Sequence, residues 1–263
     1  MCSTCGCSDD TGVRVTDPAA RRHEHPHEHP HPHGPENQAG TRTVVLEEEI
    51  LAKNDRLAAH NRGWLDGRGV LAVNLMSSPG AGKTTLLERA VRDLAGGDGP
   101  YKEVAVIEGD QETLLDSERI QAAGCRVIQI NTGAGCHLDA SMLRDGLASL
   151  DPTPHSLVFV ENVGNLVCPA LFDLGEGARA VITAVTEGED KPLKYPHMFR
   201  SADVMLLNKV DLLPYLDFDA DRCMRHAREV NPGLEILQVS ATRGDGLESW
   251  YAWLRSRVQA DGH

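Results

Sequence analysis

Long apolar runs are absent from this 263-residue sequence, and so is an excess of positive charge. No run reaches the roughly 18 apolar residues of a membrane helix, so we expect no membrane-spanning segment. The first residues lack the apolar core of a secretory signal, and we expect a cytoplasmic location. The formal net charge of −13 argues against nucleic acid or an anionic membrane surface as a main partner.

Large apolar side chains are also scarce in residues 1–40, where Pro, Gly, His and Glu recur. Such a segment cannot bury enough apolar surface to offset the entropy that ordering costs, so we predict a disordered arm over residues 1–40. Seven cysteines without an export signal indicate reduced thiols that are available to a metal.

The arm is rich in the ligand types of Ni²⁺, Zn²⁺ and Cu ions. Its three cysteines are close enough in sequence to bind one ion together, with the terminal amino group as a candidate fourth ligand. Its histidines alternate with Pro and Glu, which precludes a regular helix and predicts an extended segment with weak, multiple nickel sites. A purification tag is the alternative, and the Glu and Pro pattern argues against it. The candidate ligands are Cys2, Cys5, Cys7, His23, His25, His27, His29, His31 and His33.

The remaining residues, 41–263, alternate short apolar runs with stretches of helical spacing. Continuous apolar runs are typical of strands buried on both faces, as in a parallel sheet covered by helices. We predict an α/β domain with a mostly parallel sheet of about seven strands, and an amphipathic helix over residues 44–65. The predicted strands are Val70–Met76, Val104–Glu108, Val127–Ile130, Leu157–Glu161, Ala180–Val185, Val204–Asn208 and Glu235–Ser240. The predicted helices are Thr84–Leu94, Leu114–Ala123, Asp139–Leu150, Asp219–Val230 and Gly246–Val258.

A glycine-rich loop follows the first predicted strand. It reads Ser77-Ser78-Pro79-Gly80-Ala81-Gly82-Lys83-Thr84-Thr85. It matches the phosphate-loop pattern G-x-x-x-x-G-K-S/T, except that Ser77 replaces the first glycine. Gly80 and Gly82 let backbone N–H groups point at phosphate oxygens. Lys83 would reach the β and γ phosphates, and the Thr84 hydroxyl would bind Mg²⁺. A turn that binds nothing is the alternative, and the strand–loop–helix order argues against it.

A second motif, Asn208-Lys209-Val210-Asp211, indicates which base binds. The Asp211 carboxylate can accept hydrogen bonds from N1 and the exocyclic amine of guanine, a donor pair that adenine lacks. Ser240 and Ala241, after the last predicted strand, offer a further contact to the base. The tetrapeptide alone is weak evidence, but its place at a strand end favours GTP over ATP.

Two acidic residues, Asp110 and Glu161, lie at the ends of the second and fourth predicted strands. Ligands of open α/β sheets bind at the carboxyl ends of strands, so both acids are candidates for the Mg²⁺ and γ-phosphate site. Asp110 would bind Mg²⁺ or position the attacking water, whereas Glu161 stands where the common GTPase pattern has Asp. Gly164 offers an N–H to the γ-phosphate. Either acid is alternatively a solvated loop residue.

We therefore predict hydrolysis of GTP to GDP and phosphate, with Lys83, Asp110 and Glu161 as the candidate catalytic residues. No arginine finger is evident in the sequence. Slow turnover is expected unless a partner or a dimer completes the site.

Another set of metal-ligand types lies inside the domain. Cys136 and His137 are adjacent after the third predicted strand, and Cys168 lies in the loop after the fourth. Both loops should emerge at the same sheet edge, where the three side chains could form a nickel or zinc site with an open coordination position. A buried cysteine that acts as a small apolar residue is the alternative. Cys125 and Cys223 are interpreted as core or helix residues.

Taken together, these residues resemble the HypB family, P-loop GTPases of the SIMIBI class that serve nickel insertion into nickel–iron hydrogenase. The resemblance covers most of the chain, and no single motif carries it. It rests on Cys2/Cys5/Cys7, the histidine-rich arm, Ser78–Thr85, Glu108-Gly109-Asp110-Gln111, Gly135-Cys136-His137, Glu161–Pro169 and Asn208–Asp211.

The resemblance implies a GTPase that dimerises around its nucleotide, with Cys136, His137 and Cys168 as a metal site at the dimer interface. It also implies a separate, tight nickel site at the three arm cysteines and a histidine arm that buffers or stores nickel. The implied partners are the companion accessory protein HypA and the precursor of the hydrogenase large subunit. Lys191 and Lys194 belong to a segment that the resemblance associates with nucleotide contact across the dimer.

Two other functions stay open at this point. The related nickel GTPase of urease maturation has a Cys-Pro-His metal motif, whereas Cys136 and His137 are adjacent here. A nickel storage protein with a vestigial nucleotide site fits the histidine arm but not the intact phosphate loop and guanine motif. The apolar stretch over residues 212–216 is a candidate subunit contact or a cap over the core.

Overall fold

The computed structural model describes residues 38–95, 99–110, 115–132 and 136–258 of the chain. The side chains of residues 38–48, 110 and 115–118 are not part of that description. The predicted arm ligands lie outside the described residues: Cys2, Cys5, Cys7, His23, His25, His27, His29, His31 and His33. The chain divides into two units between Ala52 and Lys53. The metal role and the disorder predicted for the arm stay predictions, as does the domain boundary near residue 40.

Seven strands of the described part of the chain form one sheet in which all neighbouring pairs run parallel. The strand order is β3-β2-β4-β1-β5-β6-β7, which confirms the predicted parallel sheet. The strands are β1 (Leu71–Ser77), β2 (Val104–Asp110), β3 (Arg126–Asn131), β4 (Leu157–Glu161), β5 (Ala178–Ala184), β6 (Val204–Asn208) and β7 (Glu235–Gln238).

Helices cover both faces of this sheet. They are α1 (Gln38–Gly67), α2 (Lys83–Leu94), α3 (Leu115–Ala122), α4 (Ala140–Leu150), α5 (Cys168–Leu171), α6 (Lys191–Lys194), α7 (Pro196–Arg200), α8 (Ala220–Val230) and α9 (Leu247–Ser256), with a 3-10 helix over Val210–Tyr215. Helix α1 crosses the boundary between the two units, and only its part from Lys53 onward belongs to the second unit.

Side chains of β1 alternate between the two cores, as the two-residue period of a strand requires. Val73 packs in a cluster with Leu87 of α2 and Trp250 of α9. Ala72 packs on the opposite face with Leu65 of α1 and residues of α4. Because β1 is covered on both faces, its residues are apolar apart from Asn74 and the last residue, Ser77.

The strand order places the nucleotide motifs at one point of the sheet. Strands β2, β3 and β4 lie on one side of β1, and β5, β6 and β7 lie on the other. The direction in which strands are added to the sheet therefore reverses at β1. Ligands of such sheets bind in the crevice at the carboxyl ends of strands where the order reverses. The loops after β1, β2 and β4 meet there.

The structure adds elements that the sequence pattern did not predict. Helices α5, α6 and α7 are four or five residues long, too short to produce a helical apolar period. Helix α1 begins at Gln38 rather than at Val44, because a helix, once nucleated, extends through polar residues at small cost. None of the described helices combines the length and the apolar character that a membrane span requires.

Candidate nucleotide and metal sites

The glycine-rich loop joins β1 to α2 and has a backbone conformation that needs glycine. Gly80 has φ of 78° and Gly82 has φ of 91°, both in the left-handed region. A Cβ at Gly82 would lie 2.6 Å from Nδ2 of Asn208, so space excludes a side chain as well. Gly82 is the N-cap of α2 and contributes no side-chain hydrogen bond, so the first N–H groups of the helix can bind a phosphate.

A cavity of about 500 Å³ lies at the carboxyl ends of β1, β2 and β4. Its volume is ordinary for a small-molecule site. It brings together most residues of the predicted phosphate site with one residue of the guanine motif. The lining residues are Ser77, Ser78, Pro79, Gly80, Gly82, Lys83, Thr84, Thr85, Glu108, Gly109, Arg119, Glu161, Val163, Gly164 and Lys209. Ala81, in the same loop, is fully buried.

Glu161 contacts both functional side chains of the phosphate loop. Lys83 Nζ lies 2.7 Å from Glu161 Oε1 and donates to the main-chain oxygen of Asn162, also at 2.7 Å. Thr84 Oγ1 donates to the same Glu161 oxygen at 2.9 Å. Only 4% of the Glu161 side chain is exposed, so the ion pair with Lys83 is largely shielded from water. The interpretation of Glu161 as a solvated loop acid is therefore wrong.

The pair Thr84 and Glu161 fits a Mg²⁺ ion. Hydroxyl and carboxylate oxygens are the ligands that Mg²⁺ prefers. Oε2 of Glu161 is buried and has no hydrogen-bond partner among the described residues, so one carboxylate oxygen is available to a cation. Asp110 ends β2, but its side chain is outside the described residues, and its Mg²⁺ role stays a prediction.

Two charged residues of the cavity, Glu108 and Arg119, were not singled out as site residues from the sequence. Glu108 is buried at the end of β2, within the Glu108-Gly109-Asp110 motif that was its only signal. Arg119 lies on α3 and forms an ion pair with Glu88 of α2 at 2.9 Å. The position of the Arg119 side chain depends on how α3 packs against α2, and no sequence motif predicts that packing. Arg119 brings a cation from the same chain to the edge of the phosphate site.

A largely shielded ion pair between Lys191 and Glu187 holds the start of the phosphate loop. Lys191 Nζ donates to Ser78 Oγ at 2.6 Å and lies 2.5 Å from Glu187 Oε1, while Ser78 also donates to Glu187. Burial opposes ionisation of Glu187, but the hydrogen bonds from Lys191 and Ser78 outweigh it and hold the pKa of Glu187 below its usual value. Lys191 thus contacts the phosphate loop of its own chain. The Lys194 side chain is 64% exposed and pairs with Asp190.

The guanine motif bridges the phosphate loop and the loop after β7. Asn208 donates to the main-chain oxygen of Ala81 at 3.0 Å and accepts from the N–H of Ala241 at 3.2 Å. Lys209 Nζ donates to the main-chain oxygen of Gly80 at 2.7 Å. Two loops predicted to contact the base are therefore held to the loop predicted to contact the phosphates.

Asp211 is oriented by Ser240, whose hydroxyl donates to Asp211 Oδ1 at 2.6 Å. The hydroxyl also accepts from the N–H of Arg243 at 3.1 Å, which fixes its direction. A carboxylate held through one oxygen keeps the other for two donors on a base edge. This arrangement suits guanine N1 and its exocyclic amine.

Cys136, His137 and Cys168 form the metal-ligand cluster that the sequence predicted. Their donor atoms all lie within 4.8 Å of one another. Cys136 Sγ is 2.9 Å from Cys168 Sγ and 3.6 Å from His137 Nδ1. Cys168 is buried at the start of α5, and the His137 ring stacks on Phe172 with centroids 4.0 Å apart. Two sulfurs and one imidazole suit Ni²⁺ or Zn²⁺ and leave a coordination position for another ligand.

The protonation states support this assignment. Burial lowers the pKa of His137 despite the opposing charge of Asp139, so the imidazole is neutral and able to bind a metal at pH 7.

Burial raises the pKa of Cys125 and of Cys223 to about 11, so both thiols stay protonated. Cys223 is in the core on α8, and Cys125 packs against the core, which confirms their predicted structural role.

Comparison with known proteins identifies the family of the chain. Residues 71–238 match the family described as CobW/HypB/UreG, nucleotide-binding domain. The hydrogenase maturation factor HypB of Azotobacter vinelandii is 53% identical over 228 residues, which cover 84% of this chain and 74% of the relative. HypB of Escherichia coli strain K12 is 53% identical over 216 residues, or 82% of this chain and 73% of the relative.

A solved structure extends the likeness to the fold. The crystal structure of HypB from Helicobacter pylori in complex with nickel has a TM-score of 0.72 and 35% identity. It covers 80% of this chain and 99% of that chain. Family match, sequence identity and fold agree with one another, and the chain belongs to the HypB family of P-loop GTPases.

Proposed function

We propose that this chain hydrolyses GTP to GDP and phosphate, and that it supports nickel insertion into the large subunit of nickel–iron hydrogenase in the cytoplasm. The nucleotide state sets the affinity of the Cys136–His137–Cys168 site for nickel. Its HypB relatives are named as hydrogenase maturation factors, and one solved relative is a nickel complex. The intact phosphate loop and guanine motif oppose a storage protein with a vestigial nucleotide site.

One observation carries this proposal: a single short segment joins the two sites. Glu161 ends β4 against the phosphate loop, and Cys168 begins α5 in the metal cluster. Gly164 lies between them in sequence and packs on Pro79, since a Cβ on Gly164 would be 3.3 Å from Pro79 Cγ. A ligand shifts an equilibrium only by binding two states differently, and this segment touches both ligand sites.

The chain's own groups would promote in-line attack of water on the γ-phosphate. Lys83 and the loop N–H groups would stabilise the charge that develops on the phosphate oxygens. Glu161 and Thr84 would hold Mg²⁺, which supplies further charge stabilisation when bound. Arg119 adds a cation at the cavity edge, but its side chain is 49% exposed and pairs with Glu88, so slow turnover remains the expectation.

The other ligands and partners are proposed on chemical grounds. The arm cysteines would bind nickel tightly, and the arm histidines would store it weakly. Zn²⁺ would compete for the inner site, because thiolate and imidazole ligands suit both ions. HypA and the hydrogenase large-subunit precursor would be the protein partners.

A homodimer is proposed from exposed apolar residues after the guanine motif. Tyr215 is 83% exposed and Leu216 is 38% exposed, and they form the end of the 3-10 helix that follows β6. Neighbouring large apolar side chains in water favour a subunit contact. Sedimentation with GDP and with GTP measures the oligomeric state, and a monomer under both conditions would contradict a dimer.

Nickel titration of residues 41–263 with GDP and with a non-hydrolysable GTP analogue tests the coupling. We expect one nickel site per subunit or per dimer, with an affinity that differs between the two nucleotides by about fivefold or more. Cys136→Ser or Cys168→Ser should abolish the site because each removes a thiolate.

The matched control is Cys125→Ser, which changes a cysteine outside the cluster and should leave nickel binding as it is. Retention of the site in both cluster variants would show that nickel binds elsewhere. Equal nickel affinities with the two nucleotides would disprove the coupling while leaving the metal site itself intact.

A further inference from the structure

Asn162 occupies a position that joins the phosphate loop to the metal loop. It directly follows β4 and is fully buried. Its main-chain oxygen accepts the hydrogen bond from Lys83 Nζ at 2.7 Å. Its side-chain Oδ1 accepts from the N–H of Leu138 at 3.1 Å and from the N–H of Val163 at 3.0 Å. One residue thus contacts the phosphate-loop lysine and the residue next to His137.

Leu138 reinforces the same connection through packing. It is fully buried, and a Cβ added at Gly109 would lie 2.6 Å from its Cγ. The Leu138 side chain therefore lies directly on the Gly109 backbone, which lines the nucleotide cavity. Any shift of Leu138 changes the position of the adjacent His137 and the wall of that cavity.

The Asn162 side chain is also part of a chain of hydrogen bonds that begins in β1. Its Nδ2 donates to Asn74 Oδ1 of β1 at 3.3 Å, and Asn74 Nδ2 donates to Glu176 Oε1 at 3.0 Å. Arg179 Nε donates to the same Glu176 oxygen at 2.6 Å. This buried chain of hydrogen bonds anchors one end of the Asn162 side chain in the centre of the sheet.

The metal loop is anchored on its other side as well. The N–H of Ala140 donates to Asn54 Oδ1 at 2.9 Å, and Asn61 Nδ2 donates to the main-chain oxygen of Ala140 at 2.8 Å. The start of α4 is thus fixed to α1. Between this anchor and Cys136, the hydrogen bond from the N–H of Leu138 to Asn162 Oδ1 links the metal loop to the phosphate side, beside the packing of Leu138 on Gly109.

We propose that Asn162 is the positioning residue that couples nucleotide state to metal affinity. When Lys83 binds nucleotide phosphates, it gives up its hydrogen bond to the Asn162 main-chain oxygen. The peptide after Asn162 then turns, and Oδ1 no longer holds Leu138 and Val163 in the same geometry. The distance between His137 and Cys168 changes with it. This inference rests on the proposed nucleotide–metal coupling and names the residue that transmits it.

The test measures nucleotide affinity in the full chain with and without Ni²⁺. For each protein, the affinity for a non-hydrolysable GTP analogue is divided by the affinity for GDP. The readout is the factor by which Ni²⁺ changes this ratio. Linkage requires this factor to equal the effect of nucleotide on nickel affinity. We expect about fivefold or more in the unchanged chain, and about onefold in Cys136→Ser, where the inner site is lost.

Asn162→Ala removes the acceptor for Leu138 and should reduce the factor to about one, while Ni²⁺ and each nucleotide still bind. Asn231→Ala is the matched control. Asn231 Oδ1 also accepts from a backbone N–H and its Nδ2 donates to main-chain oxygens, but it is the C-cap of α8 and belongs to neither the cavity lining nor the metal cluster. The control should keep the factor of the unchanged chain.

The outcomes separate the two claims. A factor that persists in Asn162→Ala overturns the role of Asn162. If Ni²⁺ does not change the nucleotide affinity ratio of the unchanged chain, the proposed coupling is wrong. The same holds if Ni²⁺ still changes that ratio in Cys136→Ser. Should Asn162→Ala fail to fold, hydrogen exchange of the Leu138 amide in the unchanged chain decides. Faster exchange with the GTP analogue than with GDP supports the inference, and identical exchange overturns it.

Discussion

Lys83→Ala is expected to lower GTP turnover by about 10²- to 10³-fold, because it removes a preorganised cation from the γ-phosphate. It also leaves the Glu161 carboxylate without its ion-pair partner in a site where only 4% of that side chain is exposed. Breaking a buried pair in this way costs about 3–5 kcal/mol of folding free energy. Turnover is measured by phosphate release, and unfolding by thermal denaturation.

Lys194→Ala is the matched control for this variant, since that lysine is 64% exposed and pairs only with Asp190 among the described residues. It should change neither turnover nor stability appreciably. Nickel bound by the arm should persist in both variants, because the arm ligands are predicted to be separate from the phosphate loop. Turnover of Lys83→Ala at the level of the unchanged chain would contradict the assigned phosphate site. Loss of arm-bound nickel would contradict the separation of the two sites.

Asp211→Asn is expected to weaken GTP binding by about 5- to 150-fold, because a guanine donor would lose its carboxylate partner. The same change should strengthen binding of xanthosine triphosphate, which has a carbonyl where guanine has its amine. The substitution is not expected to disturb the loop, since an amide oxygen can still accept the hydrogen bond that Ser240 donates to Asp211 at 2.6 Å. Competition of each nucleotide against a fluorescent GDP analogue measures both affinities.

A control on the same surface segment is Asp217→Asn, which removes one negative charge from an exposed residue. It should leave the preference for GTP unchanged. Equal losses of GTP and xanthosine triphosphate affinity in Asp211→Asn would indicate general disruption instead of base recognition. Unaltered GTP affinity would show that Asp211 does not contact the base.

The fold was predictable because its central strands are buried on both faces. The runs Leu157–Glu161 and Val204–Asn208 match the bounds of β4 and β6, since continuous apolar sequence and strand coincide there. Helices α5 to α7 were not predicted, because four or five residues are too few to show the helical period of apolar residues. These short helices shape the side of the molecule that holds Cys168 and Lys191.

The candidate site was predictable only where a motif fixes local geometry. The residues of the phosphate loop, the guanine motif and the metal cluster follow from spacing at strand ends. The contact between Lys191 and Ser78 does not, because it depends on how the segment after β5 packs against the loop after β1. The hydrogen bond from Leu138 to Asn162 likewise joins two loops that are separate in sequence. Such contacts come from tertiary packing.

We propose that GTP hydrolysis drives the transfer of nickel to the hydrogenase large subunit. The most direct test is nickel insertion into the purified large-subunit precursor by nickel-loaded protein, with GTP, with GDP and with a non-hydrolysable GTP analogue. We expect insertion to be faster with GTP than with either of the others, and Lys83→Ala should abolish the difference. Equal insertion under all three conditions would contradict the claim.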